Sequence, residues 1–194
     1  METSLAPDAR VAAAITRAWA DAEYPADDQL AGRDSCCGEY GYVAEFFRGR
    51  HWRDVTLESL KDYAGPPDAC LSFMSGTALR YYLPAFMLIA LEEPLTGATS
   101  NWEMSLVDVA TMTLNPPRYR PEVHALEQTL TPSAQQSTSP EATDRLRTWW
   151  EDRMLGFTRA QRDAIVAFLT RMQERRADDE VQFALAYWRE PLDM

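Results

Sequence analysis

The sequence has little of what would place it in an oxidising compartment or a membrane. Its 194 residues include three cysteines, Cys36, Cys37 and Cys70. Three thiols cannot all pair and adjacent cysteines rarely bond to each other, which favours a reducing compartment. The longest apolar run, Leu83–Leu91, is far shorter than the ~20 residues that span a bilayer. Met1–Ala6 lacks the basic start and apolar run of a signal peptide, so we expect a cytoplasmic protein that does not enter membranes.

Positive charge is scarce as well. Lys and Arg total 19 against 30 Asp and Glu, which gives a net charge of −11, and Lys61 is the sole lysine. The resulting negative field repels phosphate-rich partners and so disfavours the binding of nucleic acids or anionic membranes. A basic protein would instead be attracted. A net negative charge also serves simply to keep a protein in solution, and both interpretations stay open at this stage.

Apolar residues are plentiful, at 46% of the chain with 11% aromatic, which is enough to build a core. They recur mainly at the three- and four-residue spacing of amphipathic helices, between proline- and glycine-marked breaks. We predict a single all-α domain over residues 1–194, an irregular bundle of six to eight helices. A minor two-stranded piece near Thr111–Leu114 is the alternative to an entirely helical chain. The predicted core includes Trp19, Phe47, Leu83, Phe86, Met87, Trp149, Phe168 and Leu185.

Capping signals predict where several helices begin. Ser100–Glu103 and Thr158–Gln161 match the capping box, in which the first and fourth side chains each bond a backbone amide at the helix start. Ser139-Pro140 places a capping residue before a proline at the first helical position. The polar stretch Thr131–Pro140 has no apolar periodicity, which predicts a mobile loop.

The most apolar predicted helix begins after Ser75 and runs to Leu91. Its apolar positions cover so much of its circumference that we expect it at the centre of the fold. Pro84 lies inside it and has no amide hydrogen, so the carbonyl of Arg80, four residues earlier, loses its helical partner. We expect a kink or a break there, with a tyrosine hydroxyl or a water bound to the freed carbonyl.

Three segments together resemble a family of small bacterial proteins known as a domain of unknown function. The segments are Ala44–Trp52, then Phe73–Ser75 with Arg80–Met87, and Phe157–Leu169. The middle segment, Phe-x-Ser followed by Arg-Tyr-Tyr-Leu-Pro-Ala-Phe-Met, is the most distinctive. The resemblance runs from about Val11 to Met172. It implies a helical fold and, because no activity is assigned to the family, no catalytic residue.

The cysteines and His51 are the one group of residues that suggests a metal site or a nucleophile. Structural zinc sites generally take ligand pairs two to four residues apart, and this chain has no Cys-x-x-Cys. No motif supports a Cys/His nucleophile pair either. Paired acidic residues lie at predicted helix ends and lack the Glu-x-x-His spacing of a di-iron site. We therefore predict no metal and no cofactor.

Two functions are compatible with the sequence. The first is an inhibitor or immunity-type protein, whose acidic surface attracts a basic protein partner such as a toxin while aromatic anchors hold it. The residues assigned to that surface are Glu92, Glu93, Trp102, Asp178, Asp179 and Glu180. The second is an enzyme or small-ligand-binding protein, whose arginines and indole suit an anionic ligand. The residues assigned to that pocket are Arg50, His51, Trp52, Arg53, Arg80 and Tyr81.

Overall fold

The computed structural model of the chain describes residues 6–32, 38–66, 70–93, 105–118, 120 and 139–190. Their regular secondary structure is helical, which confirms the predicted all-α fold. The eight α-helices of these ranges are α1 (Pro7–Ala18), α2 (Glu39–Phe47), α3 (Cys70–Phe73), α4 (Gly76–Glu92), α5 (Leu106–Thr113), α6 (Pro140–Met154), α7 (Arg159–Arg175) and α8 (Asp179–Arg189). Three short 3-10 turns lie at Asp27–Gln29, Trp52–Asp54 and Ser59–Asp62.

Strand pairing in the described residues is limited to one isolated antiparallel bridge, between Ala31 and Met74. The two-stranded alternative near Thr111–Leu114 is wrong, because the chain is helical as far as Thr113. Thr111 and Thr113 each bond a carbonyl four residues back on their own helix, with Oγ1–O distances of 2.8 Å. Their side chains therefore accommodate the helix despite β-branching.

Side-chain caps begin five of the helices: Ser75 for α4, Ser105 for α5, Ser139 for α6, Thr158 for α7 and Asp178 for α8. The capping box at Thr158–Gln161 and the Pro140 start of α6 are confirmed. The predicted box at Ser100–Glu103 lies outside the described residues, as do residues 131–138 of the predicted loop. The next described helix begins at Leu106, where the Asp108 amide donates to the Ser105 hydroxyl at 3.1 Å.

The core is one cluster of buried side chains around α4, twelve of whose 17 residues are buried. Helices α1, α5 and α6 pack directly against α4, and α7 lies against α1 and α8. The central position predicted for this helix is therefore confirmed. An apolar helix surrounded in this way removes almost its whole circumference from water, which is why its apolar positions are not restricted to a single stripe.

The core prediction is wrong for one residue. Trp149 is 46% exposed, whereas its neighbour Trp150 is 5% exposed and donates its indole N–H to the Thr113 carbonyl at 2.9 Å. Consecutive residues differ by about 100° around a helix, so only one of two adjacent tryptophans can face the core fully. Met112 on α5 is likewise exposed. The other seven predicted core residues are buried.

Pro84 does not break α4, which is continuous from Gly76 to Glu92. The carbonyl that Pro84 leaves free, that of Arg80, accepts a hydrogen bond from the indole Nε1 of Trp19 at 2.7 Å. Trp19 is fully buried at the end of α1. An indole thus takes the role expected of a tyrosine or a water, and the bond fastens the end of α1 to the middle of α4.

The Trp19–Arg80 bond predicts an energetic coupling between Trp19 and Pro84. Trp19→Phe removes the indole donor and leaves the Arg80 carbonyl without a partner, so we expect a loss of about 1–3 kcal/mol in the free energy of unfolding beyond the change in ring volume. Pro84→Ala restores an amide that can bond the same carbonyl. The cost of Trp19→Phe should therefore be smaller in the Pro84→Ala background, as measured by urea denaturation of the four proteins of a double-mutant cycle.

Trp188→Phe is the matched control, because the Trp188 indole donates to the carbonyl of Leu114, at 2.8 Å, and not to a carbonyl freed by Pro84. Its cost should be the same with Pro84 or with alanine at that position. Equal costs of Trp19→Phe in both backgrounds would contradict the assignment of the indole as the substitute for the missing amide.

Candidate functional site

A cleft of about 490 Å³ lies where the end of α1, the first half of α4 and the turn from α6 to α7 meet. Its volume falls within the ~300–1,000 Å³ typical of small-molecule sites. Three separate parts of the chain contribute polar groups to it. The polar lining residues are Arg17, Asp21, Glu23, Thr77, Arg80, Tyr81, Thr158 and Gln161.

Two glycines allow the walls of the cleft to approach each other. Gly156 has a φ of +94°, the left-handed region that suits glycine where the chain turns after a helix. A Cβ added to Gly76 would lie 3.3 Å from the Cα of Arg153, so a side chain there would push α4 away from the end of α6. The close approach lets Nη1 of Arg80 donate to the Arg153 carbonyl at 2.9 Å.

Arg80 is the half-buried cation of the cleft. Burial lowers the pKa of its guanidinium, but an arginine remains charged at neutral pH. Beyond its bond to the Arg153 carbonyl, it has no ion-pair partner among the residues that the structure describes. The first turn of α7, which carries the positive end of that helix dipole, lines the same cleft. Both features favour an anion.

Tyr81 lies beside Arg80 on α4 and also lines the cleft. It is only 3% exposed, and among the described residues its hydroxyl has no hydrogen-bond partner of regular geometry. Burial raises the pKa of Tyr81, so the hydroxyl keeps its proton at neutral pH. The ring contacts the rings of Tyr24 and His51 edge-on, with centroid distances of 5.7 and 5.8 Å. Of the predicted pocket residues, Arg80 and Tyr81 therefore line the cleft, and His51 contacts the ring of Tyr81.

The remaining predicted pocket residues do not line the cleft. Trp52 is buried, and the guanidinium of Arg53 stacks on its indole at 4.4 Å. Arg50 bonds the Phe46 carbonyl through Nε at 3.1 Å and stacks on the Phe46 ring. His51 accepts a hydrogen bond from the Arg53 amide on Nδ1, at 3.1 Å. The arginines of this segment hold its own turn in place.

Two of the predicted acidic surface residues have roles at helix starts. Glu93 is 5% exposed and accepts a hydrogen bond from the Val107 amide, at 3.1 Å, in the first turn of α5. Asp178 caps α8 and pairs with Arg176 at 2.7 Å. Partial burial works to raise the pKa of Asp178, but the Glu180 amide and the Arg176 guanidinium outweigh it and hold the pKa below its usual value. Carboxylates at helix N-termini are stabilising because of the helix dipole.

Glu180, in the first turn of α8, connects that helix to the segment that follows α5. It accepts hydrogen bonds from Asn115 at 2.6 Å, from Arg118 at 2.7 Å and from Arg120. Partial burial works to raise the pKa of Glu180, but these hydrogen bonds and the arginine charges lower it below its usual value. Its carboxylate is therefore neutralised within the chain.

Glu92 and Asp179 are exposed and have no ion pair among the described residues. They are the members of the predicted acidic set whose charge is fully presented to solvent. Trp102, the aromatic residue of that set, lies outside the described residues, and so do Cys36 and Cys37. Cys70 is fully buried, and the described residues contain no group of three or more potential metal ligands. No described helix is long and apolar enough to cross a membrane.

Sequence reasoning missed most of the cleft. Arg17, Asp21 and Glu23 gave no signal, because charged residues at a helix end are ordinary surface features. Thr158 was identified only as a helix start, and Gly156 lies in the turn just before it. Nothing in the local pattern relates them to Arg80, since their proximity depends on how α4 and α6 pack.

Comparison with known proteins gives one match. A family of unknown function (DUF6714) matches residues 38–192, and the chain therefore belongs to that family. The family resemblance expected from the sequence is thus confirmed, although the matched span begins after α1 and extends beyond Met172. Among curated proteins and among solved structures, no match is found.

The lowered pKa of Glu180 predicts a pH-dependent contribution to stability. Because its folded pKa lies below its ordinary value of 4.5, the ionised carboxylate stabilises the fold above about that pH, and the contribution is lost as the pH falls through the folded pKa. Glu180→Gln should lower the free energy of unfolding at pH 7 by less than about 1 kcal/mol, since the group is partly exposed. The difference should shrink in acid, as measured by urea denaturation across pH.

Glu45→Gln serves as the control, because Glu45 is exposed on α2 without an ion pair among the described residues. It should leave the unfolding midpoint unchanged at every pH. A Glu180→Gln protein as stable as the unmodified chain at pH 7 would show that the negative charge of Glu180 contributes nothing to the fold.

Proposed function

We propose that this member of the DUF6714 family binds a small ligand that carries an anionic group, and that the cleft at Arg80 is the binding site. The observation that carries the proposal is Arg80 itself. It is a half-buried guanidinium that lines a cleft of ligand size and has no carboxylate partner among the described residues. A partly desolvated cation is stabilised by an opposite charge. Its planar fork also matches the geometry of a carboxylate or a phosphate.

The surroundings of Arg80 support this proposal. Arg17 adds a second cation, and the first turn of α7 adds the positive end of a helix dipole. No hydroxyl that lines the cleft is hydrogen-bonded to a histidine or a carboxylate among the described residues, an arrangement that would activate it as a nucleophile. The proposal is therefore one of binding.

Binding of simple anions tests the role of Arg80. Acetate and inorganic phosphate, titrated separately and followed by NMR, should shift resonances of residues that line the cleft. Arg80→Gln should weaken binding about tenfold or more, because a charge-assisted hydrogen bond is lost. Arg80→Lys should retain part of the affinity, since the charge remains but the fork does not.

Arg50→Gln is the matched control, because Arg50 also bonds a backbone carbonyl but lies outside the cleft lining. It should leave anion binding unchanged. Arg17→Gln supplies a second test if Arg80 variants are less stable, since Arg17 is exposed and lines the same cleft. Anion shifts that are unaffected by both Arg80→Gln and Arg17→Gln would contradict the proposal.

A second candidate is the inhibitor or immunity-type protein that binds a basic partner. The observation that favours it is the exposed side of α6, where Trp149 is 46% and Leu146 is 49% exposed. The Arg153 guanidinium stacks on the Trp149 ring at 4.4 Å, which restricts the indole before any partner arrives. A rigid exposed aromatic residue is the kind of anchor that dominates protein interfaces, and the unpaired carboxylates Glu92 and Asp179 would add electrostatic attraction.

This candidate predicts separate effects on association and dissociation. With a basic protein that copurifies with the chain, the association rate should fall about tenfold or more between low and high salt, because exposed charges are screened beyond ~8–10 Å at physiological ionic strength. Glu92→Gln with Asp179→Asn should slow association, and Trp149→Ala should accelerate dissociation. Leu57→Ala, at an exposed apolar residue away from α6, is the control for surface truncation. A salt-independent association rate would count against this candidate.

A further inference from the structure

We infer that the ligand of the Arg80 cleft is a small zwitterion, whose anionic group binds Arg80 and whose cationic group binds Asp21 and Glu23. This inference rests on the proposed function, because it specifies the ligand class of the same site. Its basis is that one cleft contains both signs of charge. Arg17 and Arg80 contribute the cations, and Asp21 and Glu23 contribute the carboxylates.

These opposite charges do not neutralise one another. No ion pair among the described residues joins either arginine to either carboxylate, and neither carboxylate is hydrogen-bonded to any other described group. Elsewhere on the surface, carboxylates and arginines that can reach each other do pair, as Asp8 does with Arg171 at 2.6 Å. The two arginines and the two carboxylates that line the cleft are therefore available to a ligand that carries both signs of charge.

The segment that carries Asp21 and Glu23 is held in position at both of its ends. On one side, Trp19 is bonded to the Arg80 carbonyl at 2.7 Å. On the other side, the Tyr24 hydroxyl donates to Asp27 at 2.6 Å and accepts from the Gly49 amide at 2.7 Å. Asp21 and Glu23 lie between these two anchors. A charged group on a fixed segment loses less conformational entropy on binding than one on a free segment, which makes the pair an effective subsite.

The charge balance also indicates what the cleft rejects. With two cations and two carboxylates in the lining, a ligand that carries several negative charges meets repulsion from Asp21 and Glu23. A ligand with a single carboxylate and a single ammonium group satisfies both subsites at no net charge cost. The chemical class that fits is therefore a zwitterion such as an amino acid or a short peptide rather than a polyanion.

Three ligands of one carbon skeleton test the inference, namely 5-aminopentanoate, pentanoate and pentylamine. By NMR titration of the full chain, 5-aminopentanoate should bind about fivefold more tightly than pentanoate, the factor expected from one solvent-exposed charge pair. Pentylamine should bind weakly, since Arg17 and Arg80 repel it. Asp21→Asn with Glu23→Gln should abolish the advantage of 5-aminopentanoate while leaving the affinity for pentanoate the same or higher.

Both carboxylates are exposed, so these substitutions should not disturb folding, which circular dichroism will check. Asp28→Asn, at an exposed carboxylate outside the lining, is the matched control and should preserve the fivefold preference. Equal binding of pentanoate and 5-aminopentanoate would overturn the zwitterion inference and leave the anion site standing. If pentanoate, 5-aminopentanoate, acetate and phosphate all fail to bind, both the zwitterion inference and the proposed function are wrong.

Discussion

The fold depends on the hydrogen bond that the Arg80 carbonyl accepts inside the protein. Pro84 lies in the middle of the central helix and deprives the Arg80 carbonyl of its helical donor, and a buried carbonyl without a partner is costly. The Trp19 indole supplies the donor from another helix. This hydrogen bond therefore satisfies the free carbonyl of α4 and also fixes the end of α1 against that helix. The residues that follow Trp19 are thereby placed beside the Arg80 side chain, and the cleft forms between them.

Two arginines likewise donate hydrogen bonds to carbonyls that are distant from them in the chain. Arg153 bonds the carbonyls of Leu71 and Met74 at 2.6 and 2.9 Å, and Arg175 bonds those of Ala90 and Leu91 at 3.0 Å each. The last carbonyls of a helix lack helical partners, and a guanidinium can satisfy several at once. Burial lowers the pKa of Arg153 to about 10, which still leaves it charged at neutral pH.

This use of arginine also shapes the surface. Arg153 and Arg175 donate to carbonyls and form no ion pair among the described residues, which leaves fewer cations to pair with the 30 acidic residues. The carboxylates that do find donors, such as Glu93 and Glu180, cap or brace helices. Those that do not, among the described residues, include the carboxylates on which the proposed protein partner and the proposed ligand depend.

Local sequence patterns predict the helical fold, the central place of α4, the caps at Ser139 and Thr158, and the loss of a donor at Pro84. Each of these follows from residues within about one or two helical turns of one another, a range over which local periodicity and backbone chemistry decide the outcome. Helix packing, by contrast, is what makes Trp19 the replacement for the missing donor, turns Trp150 rather than Trp149 to the core, and places Asp21 and Glu23 in the lining of the cleft with Arg80. Those outcomes depend on which helices pack together, and residues 19 and 80 are too far apart in the chain for any local pattern to relate them.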